Sequence, residues 1–388
     1  MLPVLIAILG LFLTVFLTYF LYYVLILNNG VSISSYINKI NAIQETDAPL
    51  PKLSIIINAF NEAKIIYRKL ENISQLNYPK DSMEIIIVDD FSTDNTMKIA
   101  ENGLADFKLK GKVIRLSKRL GLNKSLNRAI QEASNPIICV TDSDVILEKD
   151  ALKRSVQVLE HFDQVGGVTG RIEPVFNQEG NATRVESDYR EYYHRSMLSE
   201  SSIHSAFPGN GPLIIFKKSI VSEIPIHYGS TDANLAAKII KSGHRLLYIP
   251  NAIIYEPVPE NYGQQKLQKV RRAKRLIQVF LKNSDIFANR RYGRFGTLIF
   301  PLKFSMHVFC PILLSLGIVL AIVFAALSGN VLFQSTFGIG IGALLICLIF
   351  SSRIRGLFLS FAFHQVYLLL GLFSSPKRSF TWKIIDRK

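Results

Sequence analysis

Apolar residues run almost unbroken from Leu2 to Leu27, longer than the ~20 residues a helix needs to cross a hydrocarbon core, and this predicts a membrane span. The run has no basic leader, is too long for the apolar stretch of a secretory signal and lacks a small-residue cleavage site, which argues against a cleaved signal. Two more spans are predicted at 305–327 and 331–350, joined by the turn Ser328-Gly329-Asn330. A fourth apolar segment, 356–373, carries His364 and Gln365 at its middle. It reads either as a further span or as an interfacial helix.

Between the first and second spans the pattern changes. Short β-branched runs at 53–58, 84–88, 113–116 and 137–140 end in polar turn residues. They alternate with helical periodicity at 62–75, 93–103 and 123–133. Strand alternating with helix predicts an α/β domain with a mostly parallel, Rossmann-like sheet, in which ligands bind beyond the carboxyl ends of the strands.

Composition sharpens this division. The chain is 49% hydrophobic yet carries a formal charge of +15, which excludes a disordered chain and an ordinary soluble enzyme. Residues 264–303 hold eleven basic residues against Asp285 alone, and 353–388 hold seven against Asp386, which leaves the rest of the chain at −1. Basic flanks beside apolar spans are expected in the cytosol, so the domain between the spans is expected there too. A cytosolic C-terminus then requires an even number of spans after that domain, which favours the hairpin with an interfacial fourth segment. Anionic lipid or a phosphorylated substrate is the expected partner for these stretches, and nucleic acid is not. Cys139, Cys310 and Cys347 show no paired spacing, so neither a metal cluster nor a disulfide framework is expected.

The candidate chemistry lies at the strand ends. One run ends in Asp89-Asp90-Phe91-Ser92-Thr93-Asp94 and another in Asp142-Ser143-Asp144. Either cluster alone reads equally well as turn and cap residues. An Asp-x-Asp pair can in addition present two hard oxygen ligands to Mg²⁺ or Mn²⁺ bridging a diphosphate.

The ordered series resembles the membrane-bound glycosyltransferases of family 2, the inverting GT-A enzymes that include the cellulose, hyaluronan and poly-N-acetylglucosamine synthases. The likeness covers about residues 50–280. Asn58-Ala59-Phe60-Asn61-Glu62 is similar to the family's P-x-Y-N-E stretch, with Asn58 in place of Pro and Phe60 as the aromatic. The resemblance implies nucleotide contacts from Asn58, Phe60, Glu62, Asp89 or Asp90, Lys124 in Gly121–Asn127, and Asp142, with Asp142 and Asp144 as metal ligands. Ser230-Thr231-Asp232 resembles the family's T-E-D, which implies that Asp232 is the catalytic base. By itself, Asp232 reads as an acid in the first turn of a helix beginning near Asn234. Gly209-Asn210-Gly211 resembles an acceptor-side loop. Gln268-Lys269-Val270-Arg271-Arg272 resembles Q-x-x-R-W, which implies acceptor or diphosphate contacts from Gln268, Arg271 and Arg272. Arg272 replaces the Trp that helps form the acceptor platform of processive synthases, so transfer of one or a few sugars is favoured over long-chain polymerisation. Phe380-Thr381-Trp382-Lys383 reads as a lid segment or as an amphipathic anchor.

The expected organisation is a transmembrane helix at 1–28, a linker at 29–50, a cytosolic GT-A domain at 51–262, basic interfacial helices at 263–304, a transmembrane hairpin at 305–350, and an interfacial or fourth segment with a basic tail at 351–388. The expected protein is a multi-pass inner-membrane transferase. It moves sugar from a nucleotide sugar, UDP-linked, to a lipid-linked sugar or polysaccharide in cell-surface glycan assembly. The alternatives are transfer to a polyprenyl phosphate of the dolichyl type, and a non-enzymatic membrane-surface scaffold with a degenerate nucleotide site.

Overall fold

The computed structural model describes residues 2–44, 49–176, 181–258, 262–329 and 331–373; the tail segment Phe380–Lys383 lies outside them. In chain order the elements begin with α1 (Leu2–Tyr22), α2 (Gly30–Gln44), β1 (Leu53–Ala59), α3 (Ile66–Ser74), β2 (Met83–Asp89), α4 (Thr96–Asp106), β3 (Gly111–Arg115), α5 (Leu122–Glu132) and β4 (Ile137–Asp142). There follow β5 (Ile146–Leu147), α6 (Ala151–His161), β6 (Val165–Val175), α7 (Asn181–Ile203), β7 (Ile214–Lys217), α8 (Thr231–Lys241) and β8 (Arg245–Pro257). The last are α9 (Tyr262–Lys282), α10 (Phe300–Phe304), α11 (Cys310–Leu327), α12 (Val331–Phe350) and α13 (Ser352–Phe373).

The eight strands among the described residues form one sheet in the order β3-β2-β1-β4-β7-β6-β8-β5. The first four are parallel. Beyond them β7 runs antiparallel to β4 and β6, β6 and β8 are parallel, and β5 closes antiparallel on β8. The sheet is thus wholly parallel through its first four strands and mixed beyond β4; a two-residue period is the same in either strand direction, so the sequence pattern leaves the direction of β7 unmarked.

β1, β2 and β4 are buried along nearly their whole length on both faces, as a sheet covered on both sides requires, whereas the edge strand β3 is largely exposed. Ile55 and Ile57 point with Ile85 and Ile87 into a core closed by Leu70 of α3, Ala100 of α4 and Leu152 of α6. Ile56, Ile86 and Ile138 point the other way, against Leu126 of α5, Leu235 of α8 and Phe280 of α9. The expected linker at 29–50 is helical over α2, whose Ile40 and Ile43 join the first core.

Three helices differ from the sequence pattern at their starts. α3 begins at Ile66 because Asn61 takes a positive φ of 56° and the Glu62 N–H is held by Thr96 Oγ1 at 2.8 Å. α4 begins at Thr96, whose N–H is capped by Asp94 Oδ1 at 3.0 Å. α8 begins at Thr231, three residues before the expected start.

Among the described residues two helical runs, Leu2–Leu27 and Phe295–Leu327, are long and apolar enough to cross a membrane. The second starts ten residues earlier than the pattern suggested and continues through Lys303. α13 lies on α9 so closely that a Cβ at Gly371 would come within 2.9 Å of the Lys274 backbone nitrogen.

Candidate active site

Strand register brings the candidate residues to one level. Asn58 of β1 pairs with Asp142 of β4, while Ala59 pairs with Asp89 of β2. Three separate sequence segments therefore present their last polar residues along one sheet edge.

The two adjacent aspartates have different surroundings. Asp90 spends both oxygens on backbone: Oδ1 accepts from Leu120 N–H at 2.7 Å and Oδ2 from Gly121 N–H at 2.9 Å. This braces the turn in which Gly121 takes a positive φ of 85° before α5. Burial raises the Asp90 carboxyl above the ordinary carboxylate range, against these two donors and Arg119. Asp89 is fully buried, and its Oδ1 accepts from Ser92 N–H at 3.0 Å. Its Oδ2 has no hydrogen-bond partner among the described residues, since Arg115 Nε stands 3.8 Å away. Asn58 Oδ1 is likewise buried and without a hydrogen bond. Buried polar atoms are rarely left without a hydrogen bond in a folded chain, so these two oxygens are placed to take one from a ligand or from water. Phe60 is buried beneath the guanidinium of Arg119, 3.6 Å from the ring centroid. Glu62 is half-buried in the turn beside it.

Asp142 and Asp144 are both half-buried at the end of β4. Among the described residues no three His, Cys, Asp or Glu side chains gather as a metal cage. Two carboxylates fit a hard cation that draws its other ligands from a diphosphate and water, as Mg²⁺ commonly does. Beneath them is Lys69 of α3, 1% exposed. Its ammonium donates to Thr141 Oγ1 at 2.9 Å and to Val145 O at 3.0 Å, the two residues flanking the Asp142–Asp144 segment. Burial pushes this ammonium down to about 8, against the pull of acidic groups that include Asp142 and Asp144. Lys69 was missed in the sequence, although a cation at i+3 from Ile66 and i−4 from Ile73 sits on the apolar stripe of its helix.

The α5 segment holds the far side of the site. Asn123 Oδ1 accepts from Thr231 Oγ1 at 2.7 Å, and Asn123 Nδ2 donates to Pro225 O at 2.8 Å. Asn127 exchanges two 2.8 Å bonds with the Ile224 backbone. These amides hang the 224–231 segment on the first turns of α5, and explain a Thr where the related pattern has Glu. A narrow cleft lined by Gly121, Asn123, Lys124, Gly229 and Arg275 lies at this junction.

Asp232 follows in the first turn of α8, half-buried, with Oδ1 accepting from Ala233 N–H at 2.8 Å. Burial raises its carboxyl, opposed by the Ser230 hydroxyl, backbone donors and the charge of Arg272. A Cβ at Gly211 would lie 3.8 Å from the Asp232 Cβ, so the Gly209–Gly211 loop faces this carboxylate directly. Asn210 fixes that loop through its N–H to Thr169 Oγ1 at 2.8 Å and its amide to Gly170 O at 2.6 Å.

On α9, Gln268 and Arg271 are half-buried and Arg272 is exposed. Arg272 Nη2 lies 3.3 Å from Glu256 Oε1, and Arg190 Nη2 lies 2.6 Å from Glu256 Oε2. Burial alone would raise the Glu256 carboxyl, but the two guanidinium groups outweigh it and hold it below the usual range. Arg275, one turn beyond Arg271, lies close enough to Asp232 to feel its charge. The sequence pattern gave no reason to single out Arg190 or Arg275.

Residues 54–224 match the family model described as Glycosyl transferase family 2. The poly-beta-1,6-N-acetyl-D-glucosamine synthase of Staphylococcus aureus (strain COL) is 28% identical over 260 residues, which cover 64% of this chain and 60% of that protein. The probable glycosyltransferase YdaM of Bacillus subtilis (strain 168) is 27% identical over 274 residues, 69% of this chain and 65% of the relative. The matches thus span less than two thirds of either relative's length. A mannosyltransferase of Pyrobaculum calidifontis, PcManGT, solved with GDP-Man and Mn²⁺, shares the fold with a TM-score of 0.71 at 22% identity, over 95% of this chain and 97% of that one. The sheet order, and the carboxylates where its strands end, define a domain of GT-A fold. Residues 54–224 belong to glycosyltransferase family 2, and the chain therefore carries an enzyme domain of the transferase class.

Proposed function

We propose that this chain is a membrane-bound, metal-dependent inverting glycosyltransferase. It takes sugar from a UDP-linked donor and transfers it to a lipid-linked or polysaccharide acceptor at the cytoplasmic face, in cell-surface glycan assembly. The observation that carries this reading is the placement of Asp232. It faces the Gly209–Gly211 loop on one side, while Thr231 beside it is bonded to Asn123, next to Lys124 on the nucleotide side.

In the reaction, the acceptor hydroxyl oxygen attacks the anomeric carbon from the face opposite the diphosphate. Asp232 accepts the hydroxyl proton as the new C–O bond forms, and the bond to the diphosphate oxygen breaks. A carboxyl raised by burial holds a proton more readily than an ordinary carboxylate, which suits a group that takes one from the acceptor. Asp142 and Asp144 would hold Mg²⁺ or Mn²⁺, and the bound cation would supply charge neutralisation for a nucleoside diphosphate. Asp89 Oδ2 and Asn58 Oδ1 are offered to the nucleobase and ribose, and Phe60 and Glu62 flank them. Asp90 acts indirectly by holding the turn before Lys124. Gln268 and Arg271 face acceptor or diphosphate. Arg272 is partnered by Glu256 in a charged entry where processive synthases place Trp, which favours short transfers.

The two apolar runs and the basic flanks support a domain held against anionic lipid. The test is a donor screen on the purified protein in lipid nanodiscs. A panel of UDP- and GDP-sugars with Mn²⁺ or Mg²⁺ is scored for nucleoside diphosphate release, with and without polyprenyl-linked N-acetylglucosamine. Acceptor-stimulated release from a UDP-sugar is expected. Absence of both release and nucleotide binding across the panel would overturn the enzyme assignment.

A further inference from the structure

A buried polar node lies between the membrane helices and the acceptor side, away from the donor site. Its centre is Glu200 of α7, fully buried. Glu200 Oε1 accepts from Tyr22 OH at 2.6 Å, Ser196 Oγ at 3.0 Å and Lys303 Nζ at 2.6 Å. Its Oε2 accepts from Phe207 N–H at 3.0 Å. The Lys303 ammonium also donates to Phe207 O, and the Tyr22 and Ser196 hydroxyls meet each other. Three remote stretches of chain, at Tyr22, 196–207 and Lys303, are joined at one carboxylate.

Their identities give the node its meaning. Tyr22 and Lys303 belong to the two helical runs long enough to cross a membrane. Phe207 stands two residues before the Gly209–Gly211 loop that faces Asp232. From the other side, Tyr193 of α7 donates its hydroxyl to Gly209 O at 3.2 Å. The surrounding packing is aromatic: Phe207 lies 5.3 Å from Phe280, 5.7 Å from Phe295 and 6.0 Å from Phe300, centroid to centroid. Apolar packing is non-directional and tolerates sliding. A buried ammonium–carboxylate pair adds little net stability over an apolar filling, yet it is directional and costly to break. Such a pair therefore sets register rather than strength.

We propose that Glu200 and Lys303 are positioning residues that lock the Gly209–Gly211 loop to both membrane helices, so that an acceptor arriving from the lipid meets Asp232 at a fixed height. This rests on the transferase reading above. Tyr22 serves the same lock from the first helix.

The test uses the full chain in lipid nanodiscs with the double variant Glu200→Gln/Lys303→Met, which removes both charges and keeps their volume. Tyr22→Phe is the milder variant, deleting one donor. In hydrogen exchange, the Phe207 and Asn210 amides are expected to exchange at least about tenfold faster in the double variant, with β1 and β4 amides unchanged. With a UDP-sugar donor and polyprenyl-linked N-acetylglucosamine as probe, acceptor KM is expected to rise about tenfold while acceptor-free donor hydrolysis stays within about twofold. Tyr22→Phe should give a smaller shift in the same direction, and Lys303→Arg should largely restore the wild-type values. Unchanged exchange at Phe207 and Asn210 would overturn the proposal. So would a rise spread evenly over the domain with equal losses of hydrolysis and transfer, which is the signature of simple destabilisation. Should wild type release no nucleoside diphosphate from any donor, the transferase reading fails by itself, and the exchange arm still decides whether the node holds the loop.

Discussion

The hydroxyl of Thr231 donates to the side-chain oxygen of Asn123 at 2.7 Å, so the turn that carries Asp232 hangs from the helix turn that carries Lys124. The proposed base and the proposed nucleotide side are thereby joined by a buried hydrogen bond between residues 108 positions apart. Thr231→Val keeps the shape and deletes the donor. It is expected to cost about 1 kcal/mol of stability, and to lower kcat more than it alters donor affinity. Thermal unfolding and steady-state kinetics check this; an unchanged kcat would sever the link.

Metal dependence should pass through the end of β4. Asp142→Ala is expected to abolish the Mn²⁺-dependent part of UDP binding in calorimetric titration, while metal-independent binding through Asn58 and Asp89 persists weakly. Binding equal to wild type at every Mn²⁺ concentration would remove Asp142 from the metal site.

Lys69 is expected to act on the same segment from beneath. Lys69→Met strands Thr141 Oγ1 and Val145 O in the core, at a cost of about 1–3 kcal/mol. The melting temperature should fall, and the Mn²⁺ concentration that half-saturates UDP binding should rise. A variant that melts lower with no change in its metal midpoint would confine Lys69 to folding.

The pH profile follows from Asp232. Its carboxyl is raised by burial above the ordinary 3.8, and only the ionised form accepts a proton. Activity should therefore climb with pH through this raised value and level off above it. Plots of log kcat/KM against pH should show the acid limb above the ordinary carboxylate range in wild type. A limb at or below that range would contradict the assignment of base.

Much of the site was legible because a polar residue ending an apolar run marks the carboxyl end of a strand. Asp89, Asp90, Asp142 and Asp144 stood out for that reason. What the pattern could not give is register: nothing along the chain says that Asn58 pairs with Asp142, or that Asp90 turns back to the backbone at 120–121 while Asp89 keeps an oxygen unspent. α2 and α7 were passed over because their apolar faces are irregular and are completed by distant partners, as where Tyr36 donates to Tyr248 O at 2.8 Å. Two lysines carry the plainest lesson. Lys69 on an apolar stripe was passed over, and Lys303 within an apolar run was counted with the basic flank at 264–303. Each is instead a buried donor whose acceptors come from elsewhere in the chain, and a cation at an apolar position was the available signal.

Asp232 is proposed here as the base of an acceptor-directed transfer. The most direct measurement of this role compares wild type with Asp232→Asn in nanodiscs, recording sugar transfer and nucleotide binding on the same preparations. Transfer should fall by about 10²–10⁴-fold, with UDP and Mn²⁺ binding unchanged. Near-normal transfer by Asp232→Asn would contradict it, and would point to an acceptor that is already anionic, such as a polyprenyl phosphate, which needs no base.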